Sequence, residues 1–395
     1  MSDERKKIGI GIVGAGFMCK AHSNAYNTMR YTHVSDGYLP ELVRVGADTE
    51  DEARVAAERY GYKKSCAGWK DVVDDPDVAV VDVCLSDALH KRVSLDAIAA
   101  GKDLLCEKPL AVSASDALEM LTAAKKAGVR HMTGFNYRFI PAVRLARELI
   151  ASGAIGRLYR FNGSHSQDPG ADPSTPAERV WYASGPKASG VARGIGSHLI
   201  DMSRYLMGEI VDVDGKLKTY NRTRPSADGI LQVTQDEAMS ALLEFETGAD
   251  GILAASAVAS GRKNRIAWEI NGTKGSIAFD MEEINFLHVC LMDSPLKEVS
   301  GFTRVDVTQA DRNHPFAEYW WPRGHGIGWE HAHINELAHF LDCVANDKPV
   351  APHGATFRDG YRVAAVIEAI SESSQSGKSI DLHFEDGRET AKAGL

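Results

Sequence analysis

The stretch Ile8-Gly9-Ile10-Gly11-Ile12-Val13-Gly14-Ala15-Gly16-Phe17-Met18-Cys19 decides how the first part of this chain folds. A branched apolar run, then glycines, then a helix-patterned segment reads as strand, tight turn, helix. Two registers of a Gly-x-Gly-x-x-Gly pattern compete here. The literal one, at Gly9, Gly11 and Gly14, falls inside the strand, whereas the motif works only in the strand-to-helix turn. The productive register begins at Gly14. There Gly14 permits the turn, and Gly16 lets the backbone approach a pyrophosphate seated on the helix N-terminus. Cys19 takes the third position, where close helix–strand packing is required.

Working outward, apolar strands alternate with helical patterns through about residue 135. Strands are predicted at Ile8–Val13, Leu42–Ala47, Val78–Leu85, Asp103–Cys106 and Arg130–Thr133. Helices are predicted at Phe17–Arg30, Glu50–Tyr60, His90–Ala100 and Ala114–Ala127, the last with Ser113 as N-cap and Gly128 just past its end. Such alternation predicts a doubly wound parallel sheet. Asp48 follows the second strand, where a carboxylate can hold both ribose hydroxyls and repel a 2′-phosphate, so NAD is favoured with NADP possible. The alternative is that Asp48 caps the next helix. Its long spacing from Gly14 implies an insertion at 28–40.

Beyond Asn136 the pattern changes. After a helix at Pro141–Ala151, strands follow one another with few helices between them: Arg157–Ser164, Val211–Tyr220, Ala238–Glu246, Ile252–Ala259, Arg265–Ile270, Ser276–Phe279 and Asn285–Met292. That order predicts an open-faced, mostly antiparallel sheet in an α+β domain. Helices are predicted at Ser197–Met207, Ala332–Ala345 and Arg358–Ser371, and loops at 169–176 and 185–196. The domain expectation is 1–136 for dinucleotide binding and 137–395 for substrate and oligomer contacts.

The 395 residues suit two domains, and the net charge of −9 argues against nucleic acid or an anionic membrane as partner. No signal peptide or membrane span is expected, and the six scattered cysteines read as reduced thiols of a cytoplasmic protein. No metal site is expected. His325, His331 and His333 lack a second ligand cluster. With Trp320, Trp321 and Trp329 they form an aromatic, His-rich stretch.

Leu104-Leu105-Cys106-Glu107-Lys108-Pro109 carries the chemistry. Pro109 keeps Lys108 out of helical geometry at the carboxyl end of a strand, the edge where open α/β sheets bind ligands. A lysine there can hydrogen-bond a reacting hydroxyl and tune proton transfer. In Gly194-Ile195-Gly196-Ser197-His198-Leu199-Ile200-Asp201, Ser197 reads as an N-cap, and His198 and Asp201 share a helix face. A histidine titrates near working pH and suits a general base.

The Gly14–Met18 turn with His22, together with His90, Glu107-Lys108-Pro109 and Gly134-Phe135-Asn136-Tyr137-Arg138, resembles the glucose–fructose oxidoreductase / inositol dehydrogenase (Gfo/Idh/MocA) family. Gln167-Asp168, Ile200-Asp201-Met202 and the run from Trp320 to Trp329 are similar to its levoglucosan dehydrogenase-like branch. The resemblance implies a Rossmann domain with a sheet domain, and an NAD(P)-dependent oxidation of a ring hydroxyl. It implies Lys108 and His198 as catalytic residues. It implies cofactor contacts at Gly14, Gly16, Phe17, Met18, Asp48, Leu85, Ser86, His90, Glu107, Lys108 and Asn136. Substrate contacts are implied at Lys108, Tyr137, Arg138, Gln167, Ser197, His198, Asp201 and His333, with His333 nearest the substrate. The aromatic, His-rich stretch is implied to be a loop over a sugar. A homodimer or homotetramer is implied. One departure stands out: Gly194 replaces the aspartate that family members usually carry four residues before the histidine. The expected substrate is a pyranose or levoglucosan-like sugar, the alternative an inositol or other cyclitol. The rival of another class is a non-catalytic dinucleotide sensor.

Overall fold

A computed structural model describes residues 5–33, 37–183, 189–293, 298 and 300–387. Parts of the expected insertion at 28–40 and of the loop at 185–196 therefore lie outside the described residues. The chain forms two compact units, one of residues 1–140 with Gly328–Tyr361 and one of Pro141–Ile327 with the remainder from Arg362.

In the first unit strands and helices alternate: β1 (Lys6–Val13), α1 (Phe17–Thr32), β2 (Tyr38–Ala47), α2 (Glu50–Tyr60), β3 (Lys64–Ala67), α3 (Lys70–Asp74), β4 (Val80–Val83), α4 (Asp87–Ala99), β5 (Asp103–Glu107), α5 (Ala114–Ala127) and β6 (His131–Gly134). Among the described residues the six strands pair in parallel in the order β3-β2-β1-β4-β5-β6. The strand order reverses between β1 and β4, the place where such sheets bind ligands. Ile10, Ile12, Val80, Val81, Leu104 and Leu105 are fully buried, as strands covered on both faces must be. β3 and α3 go beyond the sequence-based expectation. Both are short, and Lys64-Ser65-Cys66-Ala67 shows no apolar alternation to betray a strand.

The second unit holds α6 (Pro141–Ala151), β7 (Leu158–Ser166), α7 (Ser197–Met207), β8 (Ile210–Lys218), the hairpin β9 (Thr223–Ser226) and β10 (Gly229–Gln232), β11 (Ala238–Phe245), β12 (Asp250–Ser256), β13 (Arg265–Gly272), β14 (Gly275–Asp280), β15 (Phe286–Leu291), β16 (Thr303–Asp306) and β17 (Ile380–Asp381). The large sheet runs β16-β15-β14-β13-β7-β12-β11-β8-β17, antiparallel throughout except where β12 meets β7. One face is buried: Met239, Ala241, Leu243 and Phe245 of β11 alternate with exposed Ser240, Leu242 and Glu244. Gly163 on β7 lies against Leu199 of α7, where a Cβ would crowd the leucine at 2.9 Å. That absence lets α7 press close to the sheet.

The domain expectation needs one correction. The helix α8 (Trp329–Asn346) packs on α1 within the first unit, and Asn136–Phe139 belongs there too. Buried Ile334, Leu337 and Leu341 give α8 an apolar face that sequence separation concealed. The chain returns to the second unit within α9 (Phe357–Ser376).

Candidate active site

The dinucleotide half begins at the turn after β1. Gly14 has φ +118°, a conformation that L side chains rarely adopt, and a Cβ there would collide with the carbonyl of Cys84. Gly16 is exposed, with nothing near its absent side chain, and α1 begins with no side-chain cap and no acid in its first turn. An anion therefore meets uncapped amides and a favourable dipole. Phe17 is exposed beside it, stacked on Trp329 with centroids 5.6 Å apart. Met18 is half-buried. Asp48 stands exposed at the carboxyl end of β2. The cap of α2 is Thr49, which closes a reciprocal box with Glu52, so capping does not occupy Asp48. Leu85 and Ser86 follow β4. The Ser86 hydroxyl, at the N-cap position of α4, is buried with no hydrogen-bond partner among the described residues. A glycine turn and an uncapped helix start are features that suit a dinucleotide phosphate.

Two of the implied contact residues, His90 and Glu107, are buried. His90 is buried, with Nδ1 2.9 Å from the Pro109 carbonyl and Nε2 3.0 Å from that of Leu85, which ties the two ligand-edge loops together. Glu107 is buried, and its Oε2 accepts the Lys108 amide at 3.1 Å. Its Oε1 lies 3.2 Å from His22 Nε2, while His22 Nδ1 meets Asp82 at 2.9 Å. Tyr26 also donates to Asp82, at 2.9 Å. Burial alone would lower the His22 pKa, but the Asp82 charge and its hydrogen bond outweigh that and hold the imidazole well above its ordinary value. Sequence reading marked His22 only as part of a motif. The charged Asp82 inside the apolar β4 was the available signal for this network. His22, Asp82 and Cys84 are also the one group of metal-ligand type that clusters among the described residues. Their mutual hydrogen bonds account for that closeness.

Lys108 leaves β5 partly buried, and burial lowers its pKa against the opposing pull of Glu107 and Asp87. Asn136, Tyr137 and Arg138 form a buried 3-10 turn in the same unit. Arg138 pairs with Asp359 at 3.0 Å, so its charge is already engaged. The residue implied to lie nearest the substrate is His333. It lies in the first unit, buried, with Nε2 3.1 Å from the Asn136 amide and its ring 4.4 Å from that of Trp329. Burial, then the His22 charge, lower its pKa well below the usual value, which keeps the ring neutral. His331 accepts the Gly328 amide at 2.9 Å and so caps α8. The aromatic His-rich stretch is thus split between the units at Gly328 and is not one loop.

In the second unit His198 and Asp201 sit on one face of α7, both buried. Ser197 is no cap. A π-helical turn at Ala192–Gly196 runs straight into α7, and the buried Ser197 hydroxyl has no hydrogen-bond partner among the described residues. Sequence reading missed His165. Its ring lies 6.0 Å from that of His198, and its Nδ1 donates to the Ile195 carbonyl at 3.0 Å. Asn264 joins it to Gln167, with Oδ1 2.9 Å from His165 Nε2 and 2.8 Å from Gln167 Nε2. The strand β7 thereby braces the start of α7.

Residues 8–135 match the family described as "Oxidoreductase family, NAD-binding Rossmann fold", and residues 143–278 match the GFO/IDH/MocA C-terminal domain. The chain belongs to the GFO/IDH/MocA oxidoreductase family. A levoglucosan dehydrogenase from Pseudarthrobacter phenanthrenivorans is 36% identical over 95% of this chain and 98% of the relative. A myo-inositol 2-dehydrogenase from Thermotoga maritima is 27% identical over 94% of this chain and 98% of its own length. Among solved GFO/IDH/MocA structures, levoglucosan dehydrogenase in complex with NADH and levoglucosan superposes with a TM-score of 0.90 and 36% identity, covering 96% of this chain and 100% of that one. This chain is accordingly an NAD-linked oxidoreductase built on a Rossmann domain and a mixed, mostly antiparallel sheet domain.

Proposed function

We propose that this oxidoreductase converts a ring hydroxyl of a sugar to a ketone, or runs the reverse reaction, with a pyranose or levoglucosan-like ring as substrate. The observation that carries this reading is the likeness to a levoglucosan dehydrogenase over nearly both full lengths, in a chain that retains Lys108 at the β5 edge and His198 on α7. In this reading Gly14, Gly16 and the start of α1 hold the pyrophosphate, and Asp48 holds the adenosine ribose. NAD supplies the hydride acceptor. Lys108 hydrogen-bonds the reacting hydroxyl, and the imidazole of His198 takes its proton. Gln167, Ser197 and Asp201 contact the other hydroxyls, because polyols demand many directional hydrogen bonds. The likeness to a myo-inositol 2-dehydrogenase supports a cyclitol as the second reading.

The test is the reduced-nicotinamide absorbance with NAD or NADP and a panel of levoglucosan, free hexoses, glycosides and inositols. Turnover of one ring class supports the reading. Turnover only of acyclic or non-polyol alcohols refutes it.

Assembly and setting belong to the same proposal. One face of the large sheet carries exposed Ile252 and Leu242 and a depression of about 420 Å³ lined in part by Asn162, Arg265 and Trp268. This face would pair with a second copy in a dimer or tetramer. Among the described residues no helix is long and apolar enough to cross a membrane, and a cytoplasmic setting, close to the NAD pool, goes with the reaction.

A further inference from the structure

Gly194 stands one turn before His198, within the π-helical turn that enters α7. A Cβ at Gly194 would collide with Cζ3 and Cη2 of Trp181. The benzo edge of that indole therefore occupies the space a side chain at 194 would take. Trp181 is 41% exposed.

The tryptophan is held there by construction. Its chain neighbours Val180 and Tyr182 are both fully buried, and the Tyr182 ring meets the indole edge-on at 5.4 Å. Tyr182 donates to Glu237 at 2.8 Å. Glu237 is itself buried and paired with buried Arg224 at 3.1 Å, and Arg224 donates to the carbonyls of Gly170 and Asp172. The adjacent Asp236 holds the other side: its carboxylate accepts the Ala192 amide at 2.7 Å and its carbonyl the Val191 amide at 3.0 Å. Two consecutive acids ahead of β11 thus pin the loop that carries Trp181 and the turn that carries Gly194. An indole fixed in this way loses little conformational entropy when a ring settles on it.

We propose that Trp181 is a specificity-determining residue whose exposed indole, seated in the room that Gly194 leaves, receives the C–H face of the substrate ring beside His198. The proposal rests on the sugar-oxidising reading above. Apolar contact with an aromatic face favours ring substrates that turn C–H bonds toward it. Gly194 then serves recognition: it makes way for an aromatic platform at a position where a carboxylate would exclude one.

The experiment uses the full chain with NAD and levoglucosan, methyl β-glucoside, myo-inositol and scyllo-inositol. For the best ring substrate, Trp181→Ala is expected to raise KM about tenfold, equivalent to about 1.4 kcal/mol, with little change in kcat. Trp181→Phe recovers most of the loss, and the thermal midpoint stays put. Gly194→Ala, which must displace the indole, is expected to raise KM in the same way. A Trp181→Ala enzyme with unchanged KM overturns the platform while leaving the sugar reading intact. So does a fall in kcat matched by loss of NAD affinity, the mark of a structural role. If the wild-type protein turns over no ring, saturation-transfer NMR on the NADH-loaded protein decides. A saturation signal on the sugar that disappears in Trp181→Ala upholds the platform, and one that persists there overturns it. No sugar binding in the wild type overturns the platform and the sugar reading together.

Discussion

A single lysine and a single aspartate carry the sharpest consequences. Burial draws the Lys108 pKa below its ordinary value, and in the proposed reaction this ammonium holds the reacting hydroxyl. Lys108→Ala is expected to lower kcat by roughly 10²–10⁴-fold while NAD affinity, read by fluorescence titration, holds. Full turnover in that variant would remove Lys108 from the chemistry. Asp48 stands free of the α2 cap, and in the proposed cofactor site its carboxylate would repel a 2′-phosphate. Asp48→Ser should therefore shift the ratio of kcat/KM values toward NADP, and an unchanged ratio would place cofactor choice elsewhere.

Between elements, the His22 imidazole bridges β4 and β5 through Asp82 and Glu107. Because Glu107 also accepts the Lys108 amide, the bridge reaches the ligand edge of the sheet. Removing one partner of a buried ion pair typically costs about 3–5 kcal/mol, and His22→Gln should destabilise the protein by an amount of that order in denaturant unfolding. The pH dependence has a definite sign. A pKa raised on folding adds stability that is fully present below the unfolded histidine value of about 6.5, and that stability is lost as pH climbs through the folded value. The gap between wild type and His22→Gln should thus narrow as pH rises through that raised value. A gap that widens on the alkaline side would mean that the imidazole is neutral in the fold.

At the scale of the whole molecule, the open face of the nine-stranded sheet is where a second copy has most to cover. Ile252 and Leu242 alternate outward while their chain neighbours face the core. Ile252→Glu on this face is expected to shift light scattering toward the monomer without loss of the folded circular dichroism signal. A mass unchanged by that substitution, or a monomeric wild type, would place any assembly elsewhere.

What the sequence by itself determined is whatever depends on local period and turn chemistry. Glu50–Tyr60, Ala114–Ala127, Pro141–Ala151 and Ser197–Met207 appear with the predicted bounds, because each carries a helical apolar period punctuated by glycine, proline or a helix-initiating residue. The Gly14 turn and the placement of Lys108 at a strand end follow from the same local rules. What tertiary structure alone decided depends on partners far apart in the chain. His22 meets Asp82 across 60 residues and Asn136 meets His333 across 197. No periodicity reports such pairings, so a purely local reading puts His333 and α8 in the wrong unit. Local pattern also cannot tell which way a side chain turns. Glu107 points inward to His22 and Trp181 stands in the space above Gly194, contacts between residues far apart in the chain that no local period encodes.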